Sequence, residues 1–479
     1  MRCVVGSVVV VFIAGCGSGG SAAPSGPDAS GGDGSPAGDA TTRDARGDAP
    51  SSGDAHADGA TDSGAPAEAG PPPCGTDAWV TYGHDAKRTS ATDACLAGPL
   101  TLAFRYVPVP PTGKTVVGVY SSIAGSDGAL LAWASQNDPY LGTSAVDRVD
   151  VKGARVWTWN SGTDSNLGNW LTSALGAVVV NEDGLTFLDP ATGASTHSNG
   201  VDNWGFTAFD AQRIYAINSS HVDGPGIYVG AYDPSEKQLW AKNTYGKCRI
   251  DSADSAGGIA VDGATLYYAP LYSAGTGVTI GFASGLYAFD GATGAQSWFQ
   301  AATPASTISV GAGLVYLVEA AAPGMEKLVA RKETDGTVAW TVDLPGASAQ
   351  APVVAAGEVL TATSTSVVAY DAAKGGAALW TAPVMGAATQ LGVIDFSGGC
   401  AGAAVSQLSH PTTALAAALG SSTLVVTAFD GVYLLKLADG TSVWSGKVPQ
   451  ATGTVNNPVL VGKRLFVEDG QAMYALDAP

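Results

Sequence analysis

Gly285-Leu-Tyr-Ala-Phe-Asp290-Gly-Ala-Thr-Gly294-Ala-Gln-Ser-Trp298 reads as one β-hairpin. An apolar run ends on an aspartate, a Thr-Gly pair follows, and a second run carries a tryptophan. An aspartate carboxylate accepts the backbone N–H two residues on, and a glycine supplies the positive φ that closes the turn. The first run is apolar at every position instead of alternating, so its strand needs cover on both faces.

The same register recurs along the chain. Val367-Val-Ala-Tyr-Asp371 leads to Trp380, Gly431-Val-Tyr-Leu-Leu leads through Asp439-Gly440 to Trp444, and Leu328-Val-Ala leads through Asp335-Gly336 to Trp340. Ile227-Tyr-Val-Gly-Ala-Tyr-Asp233 leads to Trp240, and Val149-Asp-Val with Gly153 reaches Trp157. In Leu185-Thr-Phe-Leu-Asp189 with Thr192-Gly193, His197 stands where the tryptophan is expected. Successive positions 157, 197, 240, 298, 340, 380 and 444 are separated by 40, 43, 58, 42, 40 and 64 residues. A base period of about 40 is one four-stranded propeller blade, and the two long intervals carry insertions. A solenoid is the rival repeat architecture, but it needs polar end caps and no closure. Closure is written at the ends: Ala472-Met-Tyr-Ala-Leu-Asp477 stops without its last strand, and Leu100-Thr-Leu-Ala-Phe-Arg-Tyr106 is a strand without a preceding partner. Seven full repeats and one split between the termini predict an all-β, eight-bladed propeller of four-stranded antiparallel blades with no open edge at the seam.

This register resembles the pyrroloquinoline-quinone (PQQ) repeat propellers, found in quinoprotein alcohol dehydrogenases and in the propeller lipoprotein of the outer-membrane β-barrel assembly machine. The segment Trp79-x-Thr-Tyr-Gly-His84-Asp85-x-Lys-Arg88-Thr89 is similar to the first-strand segment of that family. The resemblance covers residues 79–479. It implies that Trp157, Trp240, Trp298, Trp340, Trp380 and Trp444 dock between neighbouring blades, with a looser contact at His197.

Ahead of the propeller, Met1 and Arg2 precede an apolar stretch from Val4 to Ile13 and then Ala14, Gly15 and Cys16. This is the layout of a secretory leader over residues 1–15, well short of the ~20 residues of a membrane span. Ile13-Ala14-Gly15-Cys16 resembles a bacterial lipobox, which makes Cys16 the expected lipidation site and the lipid the only membrane anchor. Residues 17–73 are nearly all Gly, Ala, Ser, Asp, Pro and Thr, so residues 16–73 read as a lipidated cysteine followed by a disordered tether. Its reach is roughly 40 Å by flexible-chain scaling. The net charge of −19 leaves −13 on residues 74–479 once +1 for the leader and −7 for the tether are set aside. An acidic domain without a Lys/Arg cluster is a poor match for nucleic acid or anionic lipid.

In an exported protein Cys74, Cys95, Cys248 and Cys400 allow three disulfide pairings. Cys74 with Cys95 and Cys248 with Cys400 are favoured. The second pair would bring the insertions at 241–258 and 385–412 together as a partner site, since loops on a rigid scaffold carry much of binding. No two cysteines are adjacent, unlike the pair that covers the quinone in quinoprotein dehydrogenases, and neither PQQ nor calcium is expected. Asp290 and Asp371 occupy the repeated turn position, which accounts for them without a metal. There is no Gly-x-Ser-x-Gly elbow, and the candidate bases His84, His197, His221 and His410 have no evident partners. Trp170 and Trp204 read as core rather than contact residues.

The expectation is therefore a monomeric, non-catalytic propeller lipoprotein of the bacterial envelope, at the periplasmic or surface face of the outer membrane. It would bind an envelope protein or surface ligand. Two further readings stand beside it: a quinoprotein-like oxidoreductase, and a polysaccharide-active hydrolase or lyase.

Overall fold

In the computed structural model the turn chemistry repeats as written. Asp290 Oδ1 accepts the Thr293 N–H at 2.8 Å and its hydroxyl at 2.7 Å, and Gly294, at φ +67°, donates its N–H to the Asp290 carbonyl. Asp189 holds Ala191 and Thr192, and Asp371 holds Ala373 and Lys374, in the same way. Hydrogen bonds from Thr293 hold the exposed Asp290 carboxyl below the usual carboxylate range.

The structure describes residues 74–479 except 139–140, 162–169, 182–183, 199–202, 221–225, 244–257, 270–284, 323–324, 347, 349–350, 364, 385–387, 391–408, 412–413 and 430. The leader, Cys16, the tether, Cys248, Cys400 and His221 lie outside them, as do the side chains of Trp170, His197, Trp204 and His410. Among the described residues there are thirty-five strands, β1 to β35 in chain order, and no α-helix.

Thirty-two of these strands form eight four-stranded antiparallel blades. Blades 1 to 7 occupy residues 115–160, 170–198, 203–243, 258–301, 309–343, 353–383 and 414–446. Blade 8 takes β33 (Asn456–Val461), β34 (Arg464–Glu468) and β35 (Met473–Asp477) from the end of the chain and β2 (Thr101–Tyr106) from its beginning. The protein is an eight-bladed β-propeller. Third strands such as β9 (Leu185–Leu188) and β17 (Gly285–Asp290) are buried along nearly their whole length, as their unbroken apolar pattern requires. Outer strands such as β22 (Val338–Asp343) alternate, because one face meets the next blade and the other meets solvent.

Five of the six docking tryptophans lie on the following blade's turn glycine. Trp240, Trp340 and Trp380 donate their indole N–H to the carbonyls of Gly291, Ala372 and Leu437 at 2.8 to 3.0 Å. Trp157 reaches Pro190 at 3.2 Å, and the half-buried Trp298 reaches Glu333 at 2.9 Å. A Cβ on Gly193, Gly294, Gly336, Gly375 or Gly440 would fall within 2.4 to 2.6 Å of the ring lying on it. The glycine thus serves both the turn and the approach of the ring. In blade 3 Glu236, at φ +67°, holds the corresponding turn position, next to the blade that carries His197. The junction that departs from the tryptophan pattern also departs from the glycine pattern.

At the seam, Thr101 pairs with Asp477 and Tyr106 with Met473, so β2 completes the sheet started by β33 to β35. Phe104 takes the tryptophan's place and packs on Gly153 of blade 1, while Trp444 of blade 7 packs on Gly98. The hydroxyl of Tyr106 donates to Asp147 of blade 1 at 2.7 Å, and Thr158 donates to the other carboxylate oxygen at 2.6 Å. Asp147 is wholly buried; desolvation raises its pKa and these hydrogen bonds oppose the rise.

Candidate functional site at the propeller axis

The segment read as a first strand belongs to no blade. Gly83, His84, Arg88 and Ser90 all have positive φ, between +52° and +78°, and so many left-handed residues cannot lie in one extended strand. Residues 79–95 instead make a circuit of the axis and bond to all eight blades. Trp79 exchanges backbone hydrogen bonds with Ala124 of blade 1, and Val80 accepts from Ser173 of blade 2. Arg88 donates to Thr207 of blade 3, and Ala86 accepts from Val261 of blade 4. Lys87 accepts from Val310 of blade 5, Thr89 from Val354 of blade 6, and Ser90 from Ala417 of blade 7. Cys95 donates to Gly462 of blade 8 at 2.8 Å. Within the circuit, β1 (Ala91–Thr92) runs parallel to the first strand of blade 7. A disulfide between Cys74 and Cys95 closes the circuit into a ring.

Arg88 is the ring's buried centre. Its Nε donates to the Ile259 carbonyl at 2.9 Å, Nη2 to the Thr207 carbonyl at 2.5 Å, and Nη1 to the Tyr82 carbonyl. The guanidinium carbon lies 5.6 Å from the Tyr82 ring centre and 5.2 Å from that of Phe206. Burial pulls its pKa down to about 10, so it stays charged at neutral pH. Carbonyl dipoles and aromatic faces stabilise this cation.

His84 packs against Trp79 with ring centres 5.1 Å apart, and burial lowers its pKa against the opposing pull of Asp85. It sits in the ring as a neutral packing residue. Asp85 bonds the Thr89 N–H and hydroxyl, which holds the turn that presents Arg88.

Beside the ring, toward blades 7, 8 and 1, lies a cavity of about 40 Å³ lined by Trp79, Tyr82, Ser90, Ser122, Leu415 and Asn457 among others. Register shifts at Val119/Ser121 and at Asn456/Val459 bulge the two wall strands. Bulges of this kind re-aim side chains. Asn457, at φ +49°, donates from its amide to Glu468 Oε2 at 3.2 Å. Glu468 is 2 % exposed, and burial raises its pKa to about 7. Nothing in the sequence marks Glu468; the polar pair Asn456-Asn457 at the head of an otherwise apolar strand is the one local hint.

The fold and its axial ring define a PQQ-type propeller. Residues 226–395 and 393–479, more than half of the chain, match the family described as outer membrane protein assembly factor BamB, and the chain belongs to that family. No curated protein sequence matches it. Among solved structures it is similar to the quinohemoprotein alcohol dehydrogenase of Comamonas testosteroni, with TM-score 0.58 and 14% identity over 84% of this chain and 80% of that one. BamB from Moraxella catarrhalis gives TM-score 0.51 and 16% identity over 79% and 98% of the two chains. A europium-containing methanol dehydrogenase gives 0.56 and 12% over 84% and 98%. At these identities the likeness is one of fold.

Proposed function

We propose that the protein is a non-catalytic interaction scaffold of the bacterial envelope, anchored through Cys16 and serving outer-membrane protein assembly. The family match over residues 226–479 carries this reading. The axial ring supports it: residues 79–95 bond all eight blades to one another, which makes a rigid disc whose rim and faces are available as binding surface. Solved neighbours that are quinoprotein dehydrogenases make a quinone–calcium centre the competing reading. The residues at the axis suit it poorly. Among the described residues no group of three or more His, Cys, Asp or Glu converges, and no two cysteines of the chain are adjacent.

The deciding experiment is crosslinking in intact cells with a tagged full chain. Recovery of an outer-membrane insertase supports the scaffold reading. Dye reduction by the purified chain after addition of PQQ and calcium would refute it.

A further inference from the structure

A groove of about 580 Å³ opens where the ring meets blades 2, 3 and 4. It is lined by Asp85 to Lys87 of the ring, Leu175 of blade 2, Phe209 to Ala211 of blade 3, and Val261 and Gly263 of blade 4. The volume falls in the range of ligand clefts, roughly 300–1,000 Å³. Its ring side is fixed, because Val261 donates to the Ala86 carbonyl and Val310 to that of Lys87, both at 2.8 Å. Leu175 and Phe209 pack on the core shared by blades 2 and 3 but are only half-buried, so apolar surface of both is left at the groove.

Leu175 stands in an unusual backbone place. It and Gly176 form the hairpin turn between the first two strands of blade 2, at φ +54° and +80°. Turns with two positive φ values take Asn or Gly, because a bulky side chain crowds the backbone there. The matching position is Ala312 in blade 5 and Ala356 in blade 6, so of these three turns only that of blade 2 carries a large apolar side chain, and it carries it at the groove. Strain of this kind is kept where a side chain must be presented. Charge restricts the occupant further. Lys87 is paired with Asp262 at 2.8 Å, and Arg213 with Asp210 at 2.7 Å. Arg88, which acts on Asp85, is buried and donates to three carbonyls. These three cations are committed, the side chain of Asp85 is 35% exposed, and the domain carries −13. Such a surface attracts a basic partner and repels an acidic one.

We propose that this groove docks an extended segment of a partner protein that carries a bulky apolar side chain beside a lysine or arginine. The apolar side chain covers Leu175 and Phe209, and the cation meets Asp85 at the ring. A protein segment is the fitting occupant because Ala211 leaves the groove's edge exposed: a small molecule bound there stays wet, whereas a segment brings a rim that excludes water. The proposal deepens the scaffold reading and rests on it for the partner being a protein.

Isothermal titration of the full chain with acetyl-Lys-Leu-Lys-Phe amide, against acetyl-Glu-Leu-Glu-Phe amide and acetyl-Phe amide, tests the assignment. Saturable binding of the basic peptide is expected, at least tenfold tighter than either control. Leu175→Gly suits φ +54° and so keeps the turn, and Ala211→Lys changes an exposed residue; each should weaken binding at least fivefold while melting stays cooperative. Ala211→Glu, of similar bulk but opposite charge, should leave binding as tight or tighter. Absence of saturable binding, equal binding of the acidic peptide or of acetyl-Phe amide, or unchanged binding by both Leu175→Gly and Ala211→Lys would overturn the proposal. So would self-association of the wild type, seen by sedimentation and abolished by Ala211→Lys, since it would seat a second copy in the groove. Peptide binding with no insertase recovered by crosslinking would remove the assembly role and leave the groove standing; insertase recovery with no peptide binding would do the reverse.

Discussion

Arg88→Ala removes a buried side chain that ties the axial ring to blades 3 and 4 at once. The substitution leaves three carbonyls, those of Tyr82, Thr207 and Ile259, without their charged donor in a buried place. Each stranded acceptor costs about 1–3 kcal/mol, and relief from burying a cation returns part of the sum, so the expected loss is about 3–6 kcal/mol. Unfolding entropy of about 2.1 cal/mol/K per residue, over the roughly 400 residues of the propeller, gives about 0.8 kcal/mol per kelvin. The melting temperature should therefore fall by about 4–7 °C in scanning calorimetry. Lys87→Ala is the control: its ion pair with Asp262 is partly exposed and should contribute under about 1 kcal/mol. Equal melting of Arg88→Ala and Lys87→Ala would refute the argument that the ring is held from its centre.

Trp340→Ala should cost about 3–5 kcal/mol, because the ring is 9 % exposed and lies on Gly375 of the next blade; urea denaturation measures it. The half-buried Trp298 should cost less under the same substitution. Replacing Cys74 and Cys95 by serine opens the ring and should remove about 3 kcal/mol in the chain-entropy model for a loop of this length, read by melting with and without the disulfide. Glu468 titrates near 7 folded and near its ordinary value unfolded, so the folded state binds more protons between about pH 4.5 and 7 and stability from this group falls as pH rises through that window. Glu468→Gln should narrow the gap between melting temperatures at pH 4.5 and pH 8, and an unchanged gap would contradict the assignment.

The blades were legible because their signals are local. Asp290, Thr293 and Gly294 form a turn within five residues, and their recurrence every 40 or so residues counts the blades. Even closure could be deduced, from an unpaired strand at 100–106 and a truncated repeat at 472–477. The motif at 79–89 was visible but its path was not. A blade strand and an axial ring use the same residue types, and the difference rests on bonds from Arg88 to Thr207 and Ile259, 119 and 171 positions away.

The chain by itself determined the repeat unit, its number and the tryptophan ledger, since each follows from short-range turn chemistry and from apolar runs that need two covered faces. Only the assembled circle decided that Phe104 and Gly98 complete the docking pattern at the seam, that Arg88 is buried at the axis, and that Glu468 is buried with its pKa raised. Those properties arise where separate blades converge. A buried ionisable group is defined by what closes over it, and what closes over these comes from segments scattered through the whole sequence.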